Sequence, residues 1–107
     1  MENVDLTRAK RIASLNDEYR KSRQGFMLTR GVSALPDIAE VISKVRDFNK
    51  FSEDNDPYGE HDFGSFTCFG EKLFWKIDYY DEALDLWADP LSSECCRVLT
   101  VMLAEEY

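Results

Sequence analysis

Basic side chains almost vanish from the second half of this chain: residues 51–107 hold three Lys or Arg beside fourteen Asp or Glu. Binding phosphate backbones requires cationic neutralisation, so that half is a poor direct grip on nucleic acid. Cysteine is scarce too, three in all, with Cys95 and Cys96 adjacent. An odd, clustered count builds no secreted disulfide framework, and reduced thiols are expected. With no Cys-x-x-Cys pair and a single histidine, the chain offers no redox or zinc centre. No run approaches the ~20 apolar residues that cross a bilayer, and the N-terminus has no apolar core for a signal sequence. The chain is therefore expected to be soluble and cytoplasmic. Also missing are a Gly-x-Ser-x-Gly elbow, a Gly-x-x-x-x-Gly-Lys phosphate loop, a dinucleotide fingerprint and His-Glu-x-x-His. No cofactor is expected.

What remains is an acidic globular chain. At 107 residues, 44% hydrophobic and 13% aromatic, it fits a single domain spanning 1–107, with residues 1–6 as a flexible start. Its charge is segregated: residues 1–50 sum to +3 and residues 51–107 to −11. The later half therefore projects a negative field toward any basic partner.

Periodicity predicts an amphipathic helix over 7–23, with Ala9, Ile12, Leu15 and Tyr19 on its apolar face and Gly25 ending it. Its Arg8, Arg11, Arg20, Lys21 and Arg23 read as a solvated basic face. Residues 26–30 suit a short strand. A second helix is expected from Pro36, its stripe formed by Ile38, Val41, Ile42, Val45 and Phe48. The segment 52–60, SEDNDPYGE, reads as a loop.

Two aromatic-rich runs, HDFGSFTCFG and KLFWKIDYYD, flank Gly70-Glu71, which suits a two-residue hairpin turn with glycine first. That register pairs Phe69 with Lys72, Phe66 with Trp75 and Gly64 with Ile77, and sets His61 opposite Tyr80, on one face with Asp78 and Lys76. Residues 81–88 read as helix or strand, and a third strand is favoured. Asp89 and Pro90 then predict a terminal helix with Leu91, Cys95, Val98, Leu99, Met102 and Leu103 as its stripe, Cys95 facing the core and Cys96 on its flank. The fold class is α+β: a small antiparallel sheet of three to four strands with a central hairpin, packed against about three helices.

Polar side chains crowd the loop and hairpin at Asp54, Asp56, Glu60, His61, Asp62, Asp78 and Asp81, and hard cations take such carboxylate oxygens. The Asp54-x-Asp56 alternation meets only part of an EF-hand pattern before Pro57. A metal-dependent phosphoesterase or nuclease would use Asp56, Asp62 and Asp78 as ligands and His61 as base, provided they converge. The other reading of His61 is a hydrogen-bonded loop anchor. The acidity itself suggests a different class. Asp78, Asp81, Glu82, Asp85 and Asp89 lie in a twenty-residue window, Ile77 to Cys96, without Lys or Arg, and would occupy a basic nucleic-acid channel on another protein by charge mimicry. Asp54, Asp56 and Glu60 are second-choice contacts. The plainer alternative is an acidic surface serving solubility.

DNDPYGEHDFG at 54–64, FWKIDYYD at 74–81 and RVLTVMLAEEY at 97–107, with LND at 15–17 and GV-x-ALP at 31–36, resemble a family of small bacterial proteins known only as a domain of unknown function. The SSECC segment departs from that pattern. The resemblance implies no catalytic residue. It does imply a setting among accessory genes of plasmids and phages, where small acidic proteins block host defence nucleases. The expectation is thus a non-enzymatic inhibitor of a nucleic-acid-processing defence system, of anti-CRISPR or anti-restriction type. It would bind a protein with a basic surface, and neither nucleic acid directly nor membrane. A regulatory or toxin-neutralising module using apolar groups such as Trp87 is the further alternative.

Overall fold

The computed structural model describes residues 4–22 and 25–107, with side chains from Thr7 onward. Residues 1–3 of the expected flexible start, and Arg23 of the expected basic face, lie outside the described residues.

Helix α1 runs Val4–Ser22, followed by β1 (Met27–Leu28), the short α2 (Arg30–Ser33), α3 (Ile38–Arg46), the hairpin β2 (Phe63–Cys68) and β3 (Glu71–Tyr80), β4 (Cys96–Leu103), and a closing 3-10 turn Ala104–Glu106. The four strands form one sheet in the order β1-β4-β3-β2. The fold is α+β as expected, but the sheet is mixed, because β1 joins β4 in parallel.

Asp37, not Pro36, starts α3: its carboxylate accepts from Glu40 N at 3.2 Å, the usual satisfaction of an orphan helix N–H. Pro36 sits one residue outside. Val41 and Val45 point into the core, and Phe48 packs there just beyond the helix end.

The hairpin forms, with its register displaced by two. Phe69 and Gly70, with φ of 55° and 76°, are the turn residues, so Cys68 opposes Glu71, Phe66 opposes Leu73 and Gly64 opposes Trp75. Two left-handed residues in succession make the turn whose twist matches the strands, so glycine takes its second place rather than its first. A shift of two leaves every side chain on its expected face. Gly64, Cys68, Leu73, Trp75 and Ile77 are buried, joined by Leu99, Val101 and Leu103 of β4 and by Val32, Val41, Val45 and Phe48 from the helical layer. Gly64 is required by this packing: a Cβ there would lie 2.3 Å from Trp75 Nε1 and 2.9 Å from Phe48 Cε2.

Two expectations fail in the last third. Residues 96–103 form a strand, not a helix. Its run is apolar on both faces, which satisfies a helical stripe and a buried strand alike, and Val98, Thr100 and Val101 favour extended backbone. Residues 89–95 are turns, where Asp89 Oδ1 accepts from Leu91 N at 2.8 Å and Ser92 O from Cys95 N at 3.1 Å. The expected third strand at 81–88 is also a turn, touching the sheet through the single bridge Tyr80 to Trp87. Leu84, at φ 62°, breaks the extended run.

Helix α1 buries Ala9 and Ile12 of the expected stripe and packs Tyr19 partly against the core, but the stripe is turned away from Leu15. Ala9, Ile12, Ala13, Asn16 and Arg20 face inward, while Leu15 is exposed. Two polar side chains thus enter the interior.

Candidate functional site

The loop between β3 and β4 is closed by its first residue. Asp81 Oδ1 accepts from Asp85 N at 3.2 Å and Leu86 N at 3.4 Å, and Asp81 N donates to Leu86 O at 2.8 Å. Those N–H groups, that of Asp85 foremost, hold the Asp81 carboxyl below its ordinary range, so it is ionised at neutral pH. The turn pushes Leu84, Leu86 and Trp87 outward, 56%, 67% and 68% exposed. Glu82 and Asp85 are exposed between them, with no ion-pair partner among the described residues. An apolar tip ringed by free carboxylates results. At the base of the loop Asp89 is paired with Arg8 of α1 at 2.7 Å; the Leu91 N–H first and then Arg8 hold its pKa low.

The other expected contact carboxylates are spread out. Asp78 pairs with Lys76 on the uncovered face of the sheet. Asp54 is exposed on the 49–62 loop. Asp56 is buried and organises that loop, accepting from Glu60 N at 3.1 Å and His61 N at 3.2 Å. Glu60 accepts from the Tyr79 hydroxyl at 3.3 Å. Asp78, Asp89, Asp56 and Glu60, four of the eight, are thus engaged by other groups of the fold, Asp54 is exposed on its own loop, and Asp81, Glu82 and Asp85 stand together in one turn.

His61 does not sit in the hairpin opposite Tyr80. Its backbone is left-handed, φ 56°, and its ring stacks on Phe51 with centroids 3.8 Å apart and planes 2° from parallel. Nδ1 lies 3.0 Å from both oxygens of Asp17 on α1, and Nε2 lies 3.8 Å from Asp56. The imidazole is held on both edges and one face, as an anchor between α1 and the loop. Asp17 also accepts from Arg20 Nη1 at 3.0 Å, while Arg20 Nε and Nη2 donate to the carbonyls of Val45 and Phe48, each at 3.0 Å. Asn16, fully buried, donates to Glu60 O and the Tyr79 hydroxyl at 2.9 Å and accepts from Arg97 Nε at 2.6 Å. Burial, above all, pushes the Tyr79 phenol upward, so it stays a donor.

Sequence reasoning missed Asn16, Asp17, Arg20 and Arg97 as the hub of this network. A signal was present: Asn16 and Arg20 fall four and eight residues after Ile12, on the helix's apolar stripe.

Asp62 follows the anchor, and burial, then the charges of Glu60 and Asp56, push its carboxyl up to about 6. Even so, among the described residues no three His, Cys, Asp or Glu side chains come together to hold a metal ion. Cys95 and Cys96 are half-buried in a shallow cleft of about 460 Å³ with Tyr19, Glu18 and Arg97, not set into a helix as expected. Burial raises the Cys95 thiol, which lowers its reactivity at neutral pH. No helix among the described residues is long and apolar enough to cross a membrane.

The chain belongs to the family described as Protein of unknown function (DUF3768), which matches residues 28–106. That stretch takes in β2, β3, β4, the 81–89 turn and the His61 loop, and leaves α1 outside. No curated protein and no solved structure matches the chain.

Proposed function

We propose that this member of a family without an assigned activity is a non-enzymatic protein-binding inhibitor whose 81–89 loop enters a basic, nucleic-acid-binding groove of its target. A defence nuclease of the bacterial cytoplasm, of restriction or CRISPR type, is the target class, and a mobile genetic element the setting. One observation carries the reading: Asp81, Glu82 and Asp85 share a turn with three outward apolar side chains. Carboxylates steer toward cationic partners and speed encounter, whereas a buried tryptophan supplies the lasting part of an interface. Mimicry by charge alone does not require Leu84, Leu86 and Trp87 at the tip. Their presence favours a mixed contact, in which the apolar groups anchor and the carboxylates select.

The enzymatic alternative draws less support. His61 has both ring nitrogens turned to carboxylates of the fold, and Asp56 spends its oxygens on backbone N–H groups.

Cells carrying an active nuclease and a targeted phage provide the test. Expression of the chain should raise plating efficiency; the Glu82→Lys/Asp85→Lys variant and the Trp87→Ala variant should each abolish the effect with thermal stability unchanged. Full protection by both variants would refute the assignment of the loop.

A further inference from the structure

Strand β2 is an edge of the sheet, and its outer row of backbone N–H and C=O groups meets no strand among the described residues. Native edges are guarded by lysine, proline, a bulge, extreme shortness or a covering helix or loop. β2 carries none of the sequence devices, since FGSFTC is six residues long, uncharged, free of proline and in unbroken register with β3, and the α3 segment beside it leaves an open groove rather than a cover. In a chain that is 32% charged, such an edge is out of character.

Beside it, between β2 and the α3 segment, runs a groove of about 850 Å³ reached by Phe48 and Phe66 and bordered by Glu40, Lys44, Asp47 and Lys50. Read along the chain, those four charges alternate: negative, positive, negative, positive. A second copy running antiparallel reverses the order, which sets Glu40 against Lys50 and Lys44 against Asp47. Every facing pair is then of opposite sign. The four also cancel, in a chain of net charge −8, so two copies meet here without the repulsion that the rest of the surface would impose.

We propose that the protein forms an isologous dimer in which β2 pairs antiparallel with β2 of a second copy, joining two sheets edge to edge, with the α3 segments facing each other across the two-fold axis. The arrangement satisfies the bare ladder groups and covers Phe66. It goes beyond the proposed inhibition and does not depend on it. Because the 81–89 loop leaves β3 at the end where β2 begins, the antiparallel dimer carries one acidic tip at each end of the joined sheet.

Analytical ultracentrifugation of the whole chain under reducing conditions tests this. The wild-type protein should sediment at twice 12.4 kDa. Ser65→Lys, which places a charge in the middle of the edge, should give a folded monomer, checked by circular dichroism. Lys44→Glu, on the exposed surface of α3, should weaken dimerisation by about tenfold, since two facing pairs turn repulsive, and Lys44→Glu/Asp47→Lys should restore it. A wild-type chain that stays monomeric as concentration rises overturns the proposal. So does a dimer that survives both single variants, or one that the charge swap fails to restore.

Discussion

Replacing Arg20 with methionine keeps the aliphatic stem but removes a guanidinium that is 1% exposed and holds three parts of the fold together. Nη2 is the sole partner of the Phe48 carbonyl among the described residues, whereas the Val45 carbonyl also receives the Phe48 N–H at 3.3 Å. Stranding the first costs about 1–3 kcal/mol, and loosening the second adds about 1. The cationic group also sits 5.0 Å from the Trp75 ring and 5.4 Å from Phe51, and it neutralises Asp17; losing these contributes about 1 kcal/mol more. The expected loss is therefore about 4 kcal/mol, a large share of the ~5–15 kcal/mol that holds a domain folded. Arg20→Lys, one amine in place of a fork, should fall midway, at about 2 kcal/mol. Urea unfolding followed by circular dichroism, with the slope m unchanged, measures both. A loss below about 1 kcal/mol for methionine would mean that water reaches those carbonyls and that the buried-fork argument is wrong.

Gly64→Ala should cost about 3 kcal/mol, because its methyl would overlap the Trp75 ring and the backbone of a paired strand cannot retreat; thermal unfolding reads this, and a neutral result would contradict the close approach. Asp62→Asn tests the raised carboxyl. With a folded pKa of about 6 against the ordinary 3.8, the folded state holds the proton more tightly, so this group lowers stability as pH rises from about 4 through 6. Water reaches the part-buried carboxyl, which leaves a penalty of about 1 kcal/mol above pH 6. The asparagine variant should therefore gain about that much at pH 7, gain little at pH 4, and show a flatter pH profile in denaturant melts; an equal effect at both pH values would contradict burial as the cause.

Legibility from sequence followed how many neighbours an element needs. Helix α3 announces itself by a stripe with a polar back, and the hairpin by a glycine between aromatic runs; both depend on contacts close in the chain. The register erred by two because Phe69 adopts a left-handed conformation that its residue type does not suggest. β4 misled because Leu99, Val101 and Leu103 fill one face while Val98 and Met102 make the other apolar, and only the presence of β3 beside it selects extended backbone. For the site, the acidic window that attracted notice contains Glu82 and Asp85, exposed on the turn that Asp81 closes, but Asp89 is spent on Arg8 of a helix 81 residues earlier.

Composition and pattern by themselves determined an acidic α+β domain, its central hairpin, the apolar stripe of α3 and the acidic stretch after β3, because burial periodicity and turn chemistry act locally. Only the tertiary structure decided which charges remain available. Whether a carboxylate is free, paired or buried depends on groups far away in the chain, as Asp17 meeting His61 and Arg20 reaching the end of α3 demonstrate, and no spacing rule encodes those encounters.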